Sequence, residues 1–117
     1  MNVDEIEIEQ REWAVRATAA QAKAAQAYAR LIDLAESRDS GQVRRIAAFL
    51  ASTYNGQAFP FDIFELRAVD VAISDDMLVC LDALRWAKAD LYSLVPDGDR
   101  RLRALIDRWG LSWPSDA

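Results

Sequence analysis

The sequence predicts an all-α fold, in which about five helices form a single compact bundle with a long alanine-rich helix at the N-terminus. Apolar residues recur at helical spacing along most of the chain, and no segment alternates with a period of two for more than a few residues. Nine alanines among residues 14–29 bring helix propensity close to its maximum. The chain has 117 residues and is 52% hydrophobic, which is enough for the core of one domain over residues 1–117.

The first predicted helix covers residues 4–37. Asp4 followed by Glu7 has the form of a capping box, and the acids that follow lie where the helix dipole favours negative charge. Glu7 with Arg11, and Glu12 with Arg16, have the spacing of ion pairs between successive turns. At 1.5 Å per residue the helix would be roughly 50 Å long, which exceeds the diameter of a compact domain of this size. Part of it is therefore expected to project or to meet another molecule.

Small residues dominate one face of this first helix. A seam with a seven-residue repeat has large residues at its ends and alanine at its centre, namely Ala17, Ala20, Ala24 and Ala27. Such a seam lets another helix approach closely. The sequence leaves open whether that helix belongs to the same chain or to a second copy.

Four further helices are predicted within residues 39–111. The second begins at Asp39 or Ser40 as its cap and ends at Asn55 and Gly56. A short third helix follows Asp62, whose spacing to Glu65 again suggests a capping box.

The fourth helix is predicted to begin at a cap supplied by Ser74 or Asp75 and to run to about Leu94. Its apolar stripe should make it the central helix of the core, with Cys80, Leu84, Ala87, Leu91 and Leu94. A fifth helix, capped by Asp97 or Asp99, completes the domain.

Aromatic residues crowd around the turn that follows the second helix. Tyr54, Phe59, Phe61 and Phe64 are expected to seal the junction of three helices, because burying one Phe contributes roughly 1.5–3 kcal/mol. A cap at Asp62 would fix Phe61 as its apolar neighbour. Phe59 is therefore the candidate for an exposed contact.

Composition excludes several function classes. The chain has no histidine and one cysteine, Cys80, so histidine-assisted nucleophiles, common zinc sites and an internal disulfide cannot be built. No carboxylate spacing suggests a metal site. We therefore expect no enzyme activity and no cofactor.

The overall charge and hydropathy restrict the partners. The net charge of −5 disfavours direct binding to nucleic acid. No apolar run could cross a membrane, and the acidic N-terminus does not resemble a signal peptide, so we expect a cytoplasmic protein. The arginines at positions 44, 45, 100, 101 and 103 are expected on solvated faces with local ion pairs.

Two surfaces remain as candidates for binding. A basic protein partner could be contacted by acids of the first and fourth helices together with the aromatic turn, through Glu5, Glu9, Glu12, Asp75, Asp76, Asp82 and Phe59. Alternatively, the chain could be a homodimeric structural or regulatory protein that associates through its alanine seam.

The region from Ser37 to about Leu84 resembles a family of small bacterial proteins of unknown function that are carried on integrative and conjugative elements and plasmids. The resemblance rests on the stretches SGQVRRIAAFL, YN, FPFDIFELRAVD and ISDDML. It implies a mobile genetic element as the setting, where small acidic proteins that bind and inhibit host defences are common. The leading hypothesis is therefore an anti-CRISPR-like inhibitor that binds a CRISPR effector subunit.

Overall fold

The computed structural model describes residues 2–86 and 89–113. Over these residues the chain forms four α-helices and two short 3₁₀ helices without a strand, which confirms the all-α fold. The helices in chain order are α1 (Val3–Ser37), α2 (Gly41–Tyr54), a first 3₁₀ helix (Ile63–Ala68), α3 (Val71–Leu84), a second 3₁₀ helix (Leu91–Leu94) and α4 (Gly98–Arg108).

The long first helix is confirmed, but its cap lies two residues earlier than predicted. The side chain of Asn2 accepts a hydrogen bond from the Glu5 backbone N–H at 2.9 Å, and the Glu5 carboxylate accepts one from the Asn2 backbone N–H at 3.3 Å. This is a complete capping box. The box expected at Asp4 and Glu7 is wrong because Asn2, an equally good cap, allows the helix to start earlier.

The core is built mainly between α1 and α3, which run antiparallel. Arg30 of α1 contacts Asp76 near the start of α3, and Trp13 of α1 contacts Trp86 just after its end. The buried residues of α1 are alanines up to Ala27, and beyond it Tyr28, Leu31 and Ile32 are fully buried. The alanines permit the close approach that the seam predicts.

The caps of α2 and of the first 3₁₀ helix lie where the sequence places them. Ser40 Oγ accepts from the Val43 backbone N–H at 3.4 Å, and Asp62 Oδ1 accepts from the Phe64 backbone N–H at 2.9 Å. The second capping box is not completed, because Glu65 forms an ion pair with Arg45 of α2.

Both boundaries predicted for the fourth helix are wrong. α3 starts at Val71 because Gln42 of α2 holds Asp70 at the N-cap position through two hydrogen bonds between the two residues. α3 ends at Leu84, ten residues before the expected end, and Leu91 returns to the core from a separate 3₁₀ helix. The stripe position Ala87 lies outside the described residues.

α4 closes the bundle against the C-terminal end of α1. Arg101 donates hydrogen bonds to both carboxylate oxygens of Glu36, at 2.9 and 2.7 Å, and one to Asp33 at 3.0 Å. The indole N–H of Trp109 donates to the Ala35 carbonyl at 3.0 Å. The helix ends at Arg108 with Trp109 as its C-cap, and the next residue, Gly110, has a φ of 66°, in the left-handed region typical of the glycine that follows a helix.

Candidate protein-binding surface

The N-terminal third of α1 lies outside the core. Every residue from 2 to 13 is exposed, and Ala17 is the first buried residue of the helix. At 1.5 Å per residue α1 is about 52 Å long, close to the longest dimension of the molecule, 53 Å. Residues 3–13, the projecting segment, therefore extend past the edge of the bundle, as expected from the helix length.

A row of mainly apolar side chains runs along the projecting segment. Val3, Ile6, Gln10 and Trp13 follow one another at steps of three and four residues. Ala17 and the later buried alanines continue the same steps, so the exposed row and the buried seam occupy one face of α1. At its inner end Trp13 packs edge-on against Trp86, with ring centroids 5.7 Å apart. The face that builds the core thus continues beyond the core.

Acidic side chains surround this row. Residues 2–13 include five carboxylates and one guanidinium. Glu5 is engaged in the capping box, and Glu7 forms the predicted ion pair with Arg11 at 3.6 Å. Glu9 lines a shallow depression with the apolar row, and Glu12 is exposed beside it.

Arg16 does not pair with Glu12 as the spacing suggested. Its guanidinium lies over the ring of Trp86, with Cζ 5.0 Å from the ring centroid. The negative charge at the end of the projecting segment is therefore less compensated than the sequence implied.

Two of the three acids predicted on the fourth helix, Asp75 and Asp76, lie away from the projecting segment. Asp76 receives two hydrogen bonds from Arg30, at 3.0 and 2.8 Å, and only 17% of its side chain is exposed. Asp82 pairs with Arg85 at 2.7 Å, whereas Asp75 is exposed. Arg30 is 17 residues from Trp13 along α1, about 26 Å at the helical rise. Asp75 and Asp76 therefore do not share a surface with the projecting segment.

The alanine seam is covered within the chain. Ala17, Ala24 and Ala27 are fully buried, and Ala20 is 5% exposed. Of the two alternatives that the sequence left open, packing inside the chain accounts for their burial. A homodimer through these four residues stays a prediction that would require α1 to separate from its own core.

The aromatic turn corrects two expectations. Phe59 is 8% exposed and packs with Ala51 and Ile106, so it does not offer the exposed contact that we assigned to it. Phe64, expected in the core, is instead 67% exposed. The cause is the 3₁₀ geometry after Asp62, with three residues per turn, which directs Phe64 away from the core. Phe61 packs edge-on against Phe49, with centroids 5.5 Å apart, as a core neighbour of the cap.

Two of the five arginines, Arg100 and Arg103, pair locally as predicted, whereas Arg44 donates to the backbone carbonyl of Trp109 at 3.4 Å and the others pair with residues distant in sequence. Arg45 pairs with Glu65, Arg100 with Asp97 at 3.3 Å, and Arg103 with Asp99 at 3.2 Å. Arg101 pairs with two carboxylates of α1 and so connects α4 to α1. The hydrogen bond from Arg101 holds the pKa of Glu36 below its ordinary value.

Buried titratable groups belong to the core. Burial raises the pKa of the Cys80 thiol to about 12, so the thiol stays protonated and unreactive at neutral pH. Burial also raises the pKa of Tyr28, whose hydroxyl lies 2.7 Å from that of Thr53. Within residues 2–86 and 89–113, no cluster of three or more acidic or cysteine side chains is placed to hold a metal ion. No helix in that part of the chain is long and apolar enough to span a membrane.

Sequence reasoning missed two features that bear on binding. The apolar row begins at Val3. Extending the three-and-four spacing of the seam toward the N-terminus would have shown this. The packing of Trp86 with Trp13, Arg16 and Arg85 had no local signal, because it depends on where the end of α3 meets α1.

Comparisons with known proteins place the chain at the level of a family. A search of curated proteins and a search of solved structures each gave no match. A family model described as a family of unknown function, DUF7673, matches residues 25–110, about three quarters of the chain. The match includes the whole region from Ser37 to Leu84 and begins after the projecting segment. The chain therefore belongs to the DUF7673 family.

Proposed function

We propose that this chain is a non-enzymatic protein-binding module whose projecting segment docks on another protein. The observation that carries the proposal is the apolar row of Val3, Ile6 and Trp13, which continues the core-forming face of α1 past the edge of the core and is flanked by acids. An apolar centre with a charged rim is the usual composition of a protein interface.

The charge of the segment selects the class of partner. Five carboxylates against one guanidinium repel the phosphates of nucleic acid and the headgroups of an anionic membrane. A second copy that docked its own projecting segment on this row would place carboxylates against carboxylates. A surface with a basic rim and an apolar centre complements the segment in both respects.

Within this class, the concrete partner that we infer is a nucleic-acid-targeting defence complex such as a CRISPR effector, in the mobile-element setting that the resemblance implies. Surfaces that hold nucleic acid are basic. An acidic helix that occupies such a surface would compete with the nucleic acid for it, and the chain would then act as an inhibitor.

The test compares three forms of the full chain, each tagged at the C-terminus, as bait in a lysate of a host with an active CRISPR system. They are the wild type, the double variant Glu9→Lys with Glu12→Lys, and a control with Asp39→Lys and Asp107→Lys. All four positions are exposed, and both double variants change the net charge equally.

We expect a partner that the wild type and the control retain and that the Glu9→Lys, Glu12→Lys variant loses. With the purified partner, the reversal should weaken binding at least about tenfold, because two reversed rim charges remove about 1.4 kcal/mol or more. The affinity of the wild type should fall as salt rises. A partner that binds all three baits equally, or the absence of any protein that depends on these two acids, would contradict the proposal.

A further inference from the structure

A concave surface with the opposite charge lies beside the inner end of the projecting segment. It is formed between α1 and the C-terminal end of α3, and we call it the Trp86 groove. Its floor on α1 consists of two alanines, so the longer side chains around them form walls. The lining residues are Arg16, Ala19, Ala20, Lys23, Asp82, Arg85 and Trp86.

The ring of Trp86 positions two guanidinium groups in the groove. The Cζ atoms of Arg16 and Arg85 lie 5.0 and 4.6 Å from the ring centroid, within the range of cation–π interactions. Such contacts fix the two side chains near the indole, so less conformational entropy is lost when a ligand binds them.

The positive charge of the groove is only partly neutralised. Arg85 is paired with Asp82 at 2.7 Å. In the described part of the chain, no carboxylate lies within ion-pair distance of Arg16 or Lys23, which are both exposed. Arg16 and Lys23 therefore face solvent without an ion-pair partner among the described residues, on a protein whose net charge is −5.

The indole N–H of Trp86 supplies a second, independent observation. Trp86 is 8% exposed, and its Nε1 is the buried side-chain donor among the described residues that lacks a hydrogen-bond acceptor. A buried donor without an acceptor costs about 1–3 kcal/mol. An oxygen atom of a ligand in the groove would remove this cost.

We propose that the Trp86 groove binds an oxyanion group, either a carboxylate or a phosphate. Arg16 and Lys23 supply the charge, and the indole N–H of Trp86 donates a hydrogen bond to one oxygen once the ligand displaces the side chains that cover it. The groove lies outside the projecting segment and takes ligands of the opposite charge, so the proposal is independent of the protein-binding function.

The experiment follows the indole N–H resonances of the four tryptophans in ¹⁵N-labelled full-length protein, with Trp86→Phe used to assign the Trp86 signal. Inorganic phosphate and succinate are titrated separately, with sodium chloride at equal ionic strength as the control. We expect a saturable shift of the Trp86 resonance with at least one of the two oxyanions and none with chloride. The probe that binds more tightly identifies the oxyanion class.

Two variants connect the shift to the groove. The double variant Arg16→Gln with Lys23→Gln should raise the dissociation constant at least about tenfold, which corresponds to about 1.4 kcal/mol. Arg11→Gln, an exposed change on the projecting segment, should leave it unaltered. Lys23→Gln alone keeps the Arg16 contact with Trp86 and should weaken binding by itself. A linear shift, an equal shift with chloride, or unaltered binding by the double variant would overturn the proposal.

Discussion

Replacing Ala24 with glutamate separates packing inside the chain from packing between two copies. Ala24 is fully buried in the seam between α1 and the rest of the core. The larger side chain overpacks a close helix contact, at about 1–3 kcal/mol, and buries a carboxylate without a partner, at several kcal/mol more. Together these costs are on the order of 4–6 kcal/mol, much of the roughly 5–15 kcal/mol by which a domain is stable.

The assay is urea denaturation followed by circular dichroism at several protein concentrations, combined with sedimentation. The control is Ala22→Glu, which introduces the same side chain two residues away on the exposed face of α1. We expect Ala24→Glu to unfold at much lower urea at every concentration and Ala22→Glu to match the wild type. A wild-type dimer that Ala24→Glu converts into a folded monomer of unchanged stability would refute the reasoning and restore the homodimer.

Two further changes test the packing of α4. In Gly98→Ala the new Cβ would lie 1.7 Å from the backbone oxygen of Tyr92, so we expect a loss of about 2–4 kcal/mol in thermal unfolding. Gly41→Ala has open space at the start of α2 and should be neutral or stabilising by up to about 1 kcal/mol; equal stability of the two variants would contradict the clash. In Glu36→Gln the ion pair with Arg101 is lost, which should cost about 1–2 kcal/mol at pH 7, allowing for partial exposure of Glu36. Because the pKa of Glu36 is lowered in the folded state, the wild type should lose this advantage as the pH falls below about 4.5 toward the lowered pKa. A difference in melting temperature between wild type and Glu36→Gln that persisted at lower pH would argue against the ion pair as its cause.

Local signals explain which parts of the fold could be predicted from the sequence. The caps at Ser40 and Asp62 act within one helical turn, and both lie where predicted. The start of α3 could not be predicted in this way. It depends on Gln42, which is 28 residues away in sequence and reaches Asp70 only once α2 has packed beside it.

The prediction of which rings are exposed in the aromatic turn was wrong for a related reason. The sequence shows that Phe59 and Phe64 flank a cap at Asp62, but it shows neither which element covers Phe59 nor which way the 3₁₀ helix directs Phe64. Phe59 is buried because α4 supplies Ile106 as its neighbour, and that contact spans 47 residues. Of the predicted surface, Phe59 is therefore lost, whereas the acids of the projecting segment stay exposed because the helical period alone places their side chains.

The exposed side chains of α1 are mainly acidic near its N-terminus and basic further along, whereas its buried face is uncharged. Residues 2–13 carry five acids and one arginine, but residues 14–30 carry Arg16, Lys23 and Arg30 without any acid. Packing against the core does not require this division, because the buried centre of the seam, residues 17–27, consists of alanines and carries no charge. Arg30 pairs with Asp76, but Arg16 and Lys23 form no ion pair among the described residues. Glu9 and Glu12 are exposed and precede the family match, so changes to these two residues should remove the proposed partner without unfolding the bundle.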